Sequence, residues 1–423
     1  MSGERPRVLM LLFESPFEPQ GGLGVHVLSI ASRLCEHVDL TLMGIGKDQY
    51  QRLLIVEDGV PREVSEPEWR AGAPTGSYRL LHIRNLNEHN MDLVKGMAHE
   101  VVKFENFVCN WAHFFAHEHF DLVHMHETHL LPVAKVACLA HRAHLVVTSH
   151  LSHTSVHPDS LPNYEWGCET ELHAYHTANR VIAVSPSYRK MLEETFLVPP
   201  EKIRVIPNGV DWEAFAAVKP ERRESDRPLA AFVGRLVPSK GLQLVVDAAK
   251  ELPEWDFLIQ AAISPSLEEM VPIMDGLIAA TPNVTWSREE DFGLPKWARL
   301  KSATVGLVPS LHEPFGIVAL EWMAASVPLI TTGVGGLGSF CNDTNAVIIE
   351  PTVGGLVSAL RAWMPDQSRV DRALETAKRY SWDSPAAQTL EVYEACLRKS
   401  GSSTRPSTRS GREASTPASH SLI

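Results

Sequence analysis

No apolar run in this 423-residue sequence approaches the roughly 20 residues needed to cross a bilayer, so no membrane-spanning helix is expected. Cationic excess is missing too: 39 Lys and Arg stand against 51 Asp and Glu, a formal charge of −12. A surface of that sign does not concentrate nucleic acid or anionic lipid, so any phosphate the protein binds must meet a local site. The six cysteines, Cys35, Cys109, Cys138, Cys168, Cys341 and Cys396, form no C-x-x-C pair. That spacing argues against a zinc ribbon or a disulfide framework and for free thiols. Met1 to Arg7 is polar and too short to hold a signal peptide's apolar region before Val8, which gives the expectation of a cytoplasmic protein.

What is present is ample core material. An apolar content of 44% over this length fills two cores. Short β-branched runs alternate with helical patterns: Val8 to Phe13, a helix near Val25 to Leu34, Val38 to Met43, Leu80 to Ile83, a long helical stretch Met91 to His117, Leu122 to His126, a helix Leu131 to Ala140, Leu145 to Ser149 and Val181 to Ser185. This is the rhythm of a parallel sheet covered by helices on both faces. A charged, proline-bearing stretch, Lys219 to Arg227, interrupts it. The rhythm then restarts with Leu229 to Val233, a helix Leu242 to Leu252, Phe257 to Ile263, Val284 to Trp286, a helix near Pro295 to Ser302, Val305 to Pro309, a helix Ile317 to Ala325 and Leu329 to Thr332. The expected class is α/β, two Rossmann-like doubly wound domains facing a cleft. Their expected extents are 1–218 and 219–380, followed by a helix at 381–398 that caps one domain or the other. Residues 399–423 are rich in Ser, Thr, Arg and Pro and are expected to be a disordered tail.

Three segments carry chemistry. Gln20-Gly21-Gly22-Leu23-Gly24 follows the first strand and opens a helix, where backbone N–H groups can approach a phosphate at the positive end of the helix dipole. A tight turn without a ligand explains the same glycines. Gly234 to Gly241 stands at the equivalent place in the second unit, and its Arg235 and Lys240 can neutralise a diphosphate. His312 to Glu321 places Glu313 and Glu321 across a strand, turn and helix start, and carboxylates accept hydrogen bonds from pairs of sugar hydroxyls.

Taken in order, these segments resemble the retaining GT-B glycosyltransferases of the family that includes sucrose-phosphate synthase and bacterial mannosyltransferases, and more distantly glycogen synthase. The resemblance runs from Arg7 to about Leu397. It rests also on Asp121-Leu122-Val123-His124-Met125-His126-Glu127, Val147-Thr148-Ser149-His150 and Ile206-Pro207-Asn208-Gly209-Val210-Asp211. It implies a nucleotide-sugar donor (UDP-, GDP- or ADP-linked) as co-substrate and no further cofactor. It also implies that His126, Arg235, Lys240 and Glu313 serve catalysis. Gly21, Gly22, Leu23, Gly24, His150, Asn208, Gly234, Phe315, Gly316, Ile317, Val318 and Glu321 would line the donor site, with Glu321 on the ribose. Retention of anomeric configuration is inherited from the resemblance in the same way.

No D-x-D motif occurs, which fits transfer without an obligatory metal, Arg and Lys taking the cation's place. Histidines crowd Trp111 to His129, yet no H-E-x-x-H is present and His113 does not share a face with His124 and His126, so no metal site is expected. Where many relatives have a glycine pair, this chain reads Ile259-Gln260-Ala261-Ala262-Ile263, so base recognition nearby transfers less well. Gly333 to Gly338 reads as a loop near the donor. The acceptor site is expected within Asn85 to His119 and Thr154 to Glu171, which are neither strongly basic nor cleanly amphipathic and so favour a soluble small molecule or sugar over a lipid. A non-hydrolysing nucleotide-sugar epimerase, a glucan-extending synthase and a non-catalytic sugar-nucleotide-binding protein are the competing readings.

Overall fold

The computed structural model describes residues 5–13, 17, 22–45, 51–83, 108–152, 161–223, 225–262, 271–287 and 296–400. Fifteen strands in these residues form two sheets. The first nine are β1 (Arg7–Leu11), β2 (Asp39–Ile45), β3 (Arg52–Glu57), β4 (Val60–Glu63), β5 (Ser77–Ile83), β6 (Leu122–Met125), β7 (His144–Ser149), β8 (Arg180–Ala183) and β9 (Ile203–Val205), in the order β4-β3-β5-β2-β1-β6-β7-β8-β9. The second sheet joins β10 (Leu229–Arg235), β11 (Asp256–Ala262), β12 (Val284–Ser287), β13 (Val305–Val308), β14 (Leu329–Thr331) and β15 (Val347–Ile348) in the order β12-β11-β10-β13-β14-β15. The second sheet is parallel throughout. The first is mixed, because β3 pairs antiparallel with both β4 and β5. That edge hairpin corrects the expectation of a wholly parallel first sheet: Glu57-Asp58-Gly59-Val60 turns the chain with positive φ at Asp58 and Gly59, a two-residue connection available only to antiparallel strands.

The central strands are buried along their whole length, as strands covered on both faces must be; β6 and β13 have no exposed residue. The covering helices used below are α1 (Gly22–Leu34), α2 (Leu131–His141), α3 (Pro186–Glu194), α4 (Leu242–Glu251), α5 (Ile317–Ala324), α6 (Gln367–Lys378) and α7 (Asp383–Ser400). On α1, Val27, Ile30, Ala31 and Leu34 recur at helical spacing and form the buried stripe. Through Trp382, Val392, Tyr393 and Cys396 the last helix and the residue before it join the same apolar cluster as β1 and α1. So α7 packs against the first sheet, a placement that its periodicity leaves open. Of the long helix expected over Met91 to His117, residues 108–115 are helical, 116–117 form a turn, and 91–107 lie outside the described residues.

Strand order fixes where ligands can sit. In the first sheet the chain leaves β1 for β2 on one side and reaches β6 on the other; in the second, β10 is flanked by β11 and β13. Connections diverge at these two switch points, opening a crevice beyond the carboxyl ends of the strands. His126 follows β6 and Arg235 ends β10. The two chain crossings between sheets are tied together, Val210 N donating to Tyr380 O at 2.7 Å.

Candidate active site

The glycine turn after β1 is described from Gly22 onward; Gly21 lies outside the described residues. Gly22 is the first residue of α1 and is exposed, Leu23 is half-buried and Gly24 is buried. A Cβ added at Gly22 would stand 3.4 Å from Ile317 Cδ1, the first residue of α5. The N-termini of α1 and α5, one from each sheet, therefore meet across the cleft. Both ends direct the positive end of a helix dipole to the gap between them.

On the second sheet's side, the turn after β10 is pressed onto the chain after β13. Gly241 adopts φ +72, and a Cβ there would fall 2.0 Å from Pro309 O, so only glycine fits. Leu311 N and His312 N both donate to Ser239 O, at 2.8 and 3.2 Å. This clamp delivers Lys240 Nζ to 2.8 Å from Glu313 Oε1 and 2.7 Å from Oε2, while Ser310 Oγ donates to Oε2 at 3.1 Å. Glu313 is 5% exposed. Its own loop is encased by a second glycine turn, a 3-10 helix Gly335–Ser339 where a plain loop is expected. Gly336 N donates to Glu313 O at 2.8 Å, and a Cβ at Gly335 would lie 2.2 Å from that same carbonyl. From the first sheet's side, Ser185 Oγ, at the start of α3, donates to Pro314 O at 2.7 Å. Gly316, with φ +99, caps α5 against Leu337, and Phe315 is buried against Phe340 and Tyr380.

Arg235 and Glu321 differ from that paired couple. Arg235 is half-buried and makes no ion pair with any described residue, although Lys240 five positions on is fully engaged. Glu321 lies in the second turn of α5, not at its start, with Ile317 and Val318 half-buried ahead of it. Burial pushes its carboxyl above the usual range, partly opposed by the Lys296 ammonium, and it has no hydrogen-bond partner among the described residues. Gly234 leaves room for the Phe232 ring, which a Cβ would approach to 3.2 Å.

The floor of the cleft on the first sheet's side is a cluster of imidazoles. His124 and His126 share a face of β6 and its extension, with ring centroids 4.2 Å apart. His124 is an anchor: Nε2 contacts Thr148 Oγ1 at 2.8 Å and Nδ1 contacts Tyr393 Oη of α7 at 2.7 Å. His126 Nδ1 lies 3.0 Å from His150 Nε2, the rings stacked at 21°. His26, on the buried face of α1, meets both and holds Asn208 Oδ1 with Nδ1 at 2.8 Å. Burial lowers the imidazole of His26 to about 4, opposed by the Asn208 hydrogen bond, and that of His124 to about 3. His126 and His150 are driven well below the usual histidine range by burial first and by neighbouring imidazoles second. At neutral pH the cluster is uncharged.

The structure thus brings His126, His150 and Asn208 together on one wall and Lys240, Glu313 and Gly316 on the other. Sequence reasoning missed His26, Ser185, Ser310 and the clamp at Gly335. His26 sits four residues after Gly22 on the apolar face of α1, where a polar residue among Val27, Ile30 and Leu34 is the available signal.

Two doubly wound sheets meeting at their switch points, with two helix N-termini, a basic pair and carboxylates in the gap, define the class of GT-B glycosyltransferases. Residues 20–214 match the Glycosyltransferase Family 4 domain and residues 227–366 match the Glycosyl transferases group 1 domain. The chain belongs to that glycosyltransferase family and is an enzyme of this kind. It is 28% identical over 430 residues to alpha-maltose-1-phosphate synthase of Mycolicibacterium smegmatis, covering 92% of this chain and 98% of the relative. Among solved structures it resembles sucrose-phosphate synthase from Thermosynechococcus elongatus (TM-score 0.71, 18% identity, 93% of this chain and 100% of that one). It also resembles Anabaena HepE in complex with UDP-glucose (TM-score 0.66, 16% identity, 92% and 100%). No helix among the described residues is long and apolar enough to cross a membrane.

Proposed function

We propose that the protein transfers a sugar from a nucleoside diphosphate sugar to a hydroxyl of a soluble carbohydrate or sugar-phosphate acceptor, with retention and without an obligatory metal. The observation that carries this reading is the meeting of the Gly22 and Ile317 helix ends across the cleft, with Arg235, which makes no ion pair among the described residues, at the carboxyl end of β10. A diphosphate in that gap receives backbone N–H groups from two helices and a guanidinium fork, a set of charges preorganised for a departing nucleoside diphosphate. Lys240, held by Glu313, shares its ammonium with the distal phosphate when donor arrives. Glu313 then turns its freed acceptor capacity to the donor sugar's hydroxyls. Glu321, half-buried and with no hydrogen-bond partner for its carboxyl among the described residues, takes the ribose diol. His126, neutral, stands beside the sugar, with His150 and Asn208 completing that wall and Phe315, Gly316 and Val318 fixing the loop.

In this arrangement rate comes from positioning and from charge stabilisation on the leaving group, not from a protein nucleophile. The relatives' names support the acceptor reading, since maltose-1-phosphate and sucrose-phosphate are both phosphorylated sugars. The HepE complex makes UDP-glucose the first donor to test. We read residues 1–218 as the acceptor-side domain, 219–380 as the donor domain and 381–398 as a helix returning to the first, in a cytoplasmic protein.

The test is a thermal-shift and calorimetric screen of UDP-, GDP- and ADP-sugars, followed by mass spectrometry of reactions with hexose phosphates and neutral sugars. One donor raising the melting temperature, and a new product one sugar heavier, is the expected result. Binding of no nucleotide sugar at millimolar concentration defeats the reading.

A further inference from the structure

His26, His126 and His150 reach the cleft floor from three elements, α1 and the ends of β6 and β7, and one ring nitrogen from each lies within 4.8 Å of the others. Two features separate this trio from packing histidines. Asn208 Oδ1 can only accept, so His26 Nδ1 carries the proton in their hydrogen bond and His26 Nε2 keeps its lone pair. That Nε2 is buried and lacks a partner among the described residues. His124 shows the contrast, with both nitrogens satisfied by hydroxyls. An imidazole whose one nitrogen donates to a fixed oxygen while the other aims a lone pair inward has the outer-shell arrangement of a metal-bound histidine.

We propose that His26, His126 and His150 form a three-imidazole site for a borderline-soft divalent cation of the Zn2+ type, with its open position toward the cleft. Zinc binds imidazole nitrogen at about 2.0–2.1 Å and accepts three protein ligands plus water. Tetrahedral bonds of that length place ligand nitrogens roughly 3.3 Å apart, close to the His126–His150 contact of 3.0 Å. The set contains no carboxylate, so oxygen-seeking Mg2+ and Ca2+ are disfavoured. Ligation takes one lone pair from each ring, and the proton shared between His126 and His150 moves to a non-ligating nitrogen. Resting on the transfer reading above, a cation on this floor occupies the space beside the donor sugar and inhibits the enzyme.

The test uses the full chain stripped with EDTA. Titration with Zn2+ by calorimetry and with Co2+ by visible spectroscopy is expected to give one ion per chain, the Co2+ form showing intense tetrahedral d–d bands. Zinc-edge X-ray absorption of the wild-type protein counts the imidazoles without any variant, and three are expected. His26→Gln and His150→Gln are each expected to weaken Zn2+ binding by about tenfold or more, and Asn208→Ala by about tenfold through lost orientation. The exposed control His37→Gln leaves affinity unchanged. No ion bound, fewer than three imidazoles, or wild-type affinity in both ligand variants overturns the site. Donor turnover in EDTA is measured separately: its absence alongside a three-imidazole zinc spectrum defeats the transfer reading and leaves the metal site standing.

Discussion

Lys240 Nζ lies within 2.8 Å of both carboxylate oxygens of Glu313, joining the turn after β10 to the loop after β13 and locking the two sides of the second sheet's switch point. The Glu313 side chain is almost wholly buried while that of Lys240 is 19% exposed, so the pair meets the cleft from the lysine side. Replacing either partner removes a group of the proposed donor site and leaves the other unbalanced. Turnover of Glu313→Gln and of Lys240→Ala is expected to fall on the order of 100- to 1,000-fold each. The double variant loses little more than either alone, because the two act as one unit. Lys240→Ala also destabilises by about 1–3 kcal/mol, less than a fully buried pair because water reaches the ammonium. Steady-state kinetics and chemical denaturation on the three variants check both halves.

Arg235 stands in the opposite position, with no ion pair to break among the described residues. Arg235→Ala is expected to reduce kcat/KM by roughly 100- to 1,000-fold while changing stability by no more than about 0.5 kcal/mol. Wild-type kcat/KM in this variant removes the guanidinium from the diphosphate site.

Acid lability follows from the imidazole cluster. The folded-state values of His26, about 4, and His124, about 3, lie below the unfolded value of 6.5, and His126 and His150 are lowered as well. Between pH 6.5 and about 4 the unfolded chain therefore binds more protons than the folded one. Stability is full above pH 6.5 and falls as pH drops through that window, by up to roughly 1.4 kcal/mol per pH unit for each histidine. Denaturant titrations at pH 7, 6 and 5 give the slope, and a flat profile shows that the cluster is hydrated in the folded state.

Gly335→Ala tests the casing of the Glu313 loop. A Cβ there meets Glu313 O at 2.2 Å with φ at +58, so either the glycine turn or the carboxylate's backbone has to move. Loss of about 1–3 kcal/mol is expected, with a larger fall in turnover than in donor affinity because Glu313 is displaced from the sugar. Gly354→Ala, where nothing lies within 4 Å, is the matched control and remains stable and active.

Periodicity and local chemistry determined much of this protein. Runs such as Val305 to Pro309 and Ile317 to Ala325 read directly as a buried strand and its following helix, because parallel strands covered on both faces are apolar throughout. The order of Gly22, Arg235, Glu313 and Glu321 along the chain likewise points to two strand-to-helix turns, from which the proposed donor site is built. The hairpin Arg52–Glu57 and Val60–Glu63 escaped, since its second strand is exposed along its length and carries no alternation. Only the tertiary structure decided that Lys240 is already spoken for by Glu313 while Arg235 is not, as ion pairing depends on side chains 73 positions apart. It also brought His26 to His126 and His150, and Ser185 to Pro314, from different elements. Such contacts leave no periodic trace, because sequence pattern records which face a residue occupies, and long-range packing alone records what stands opposite it.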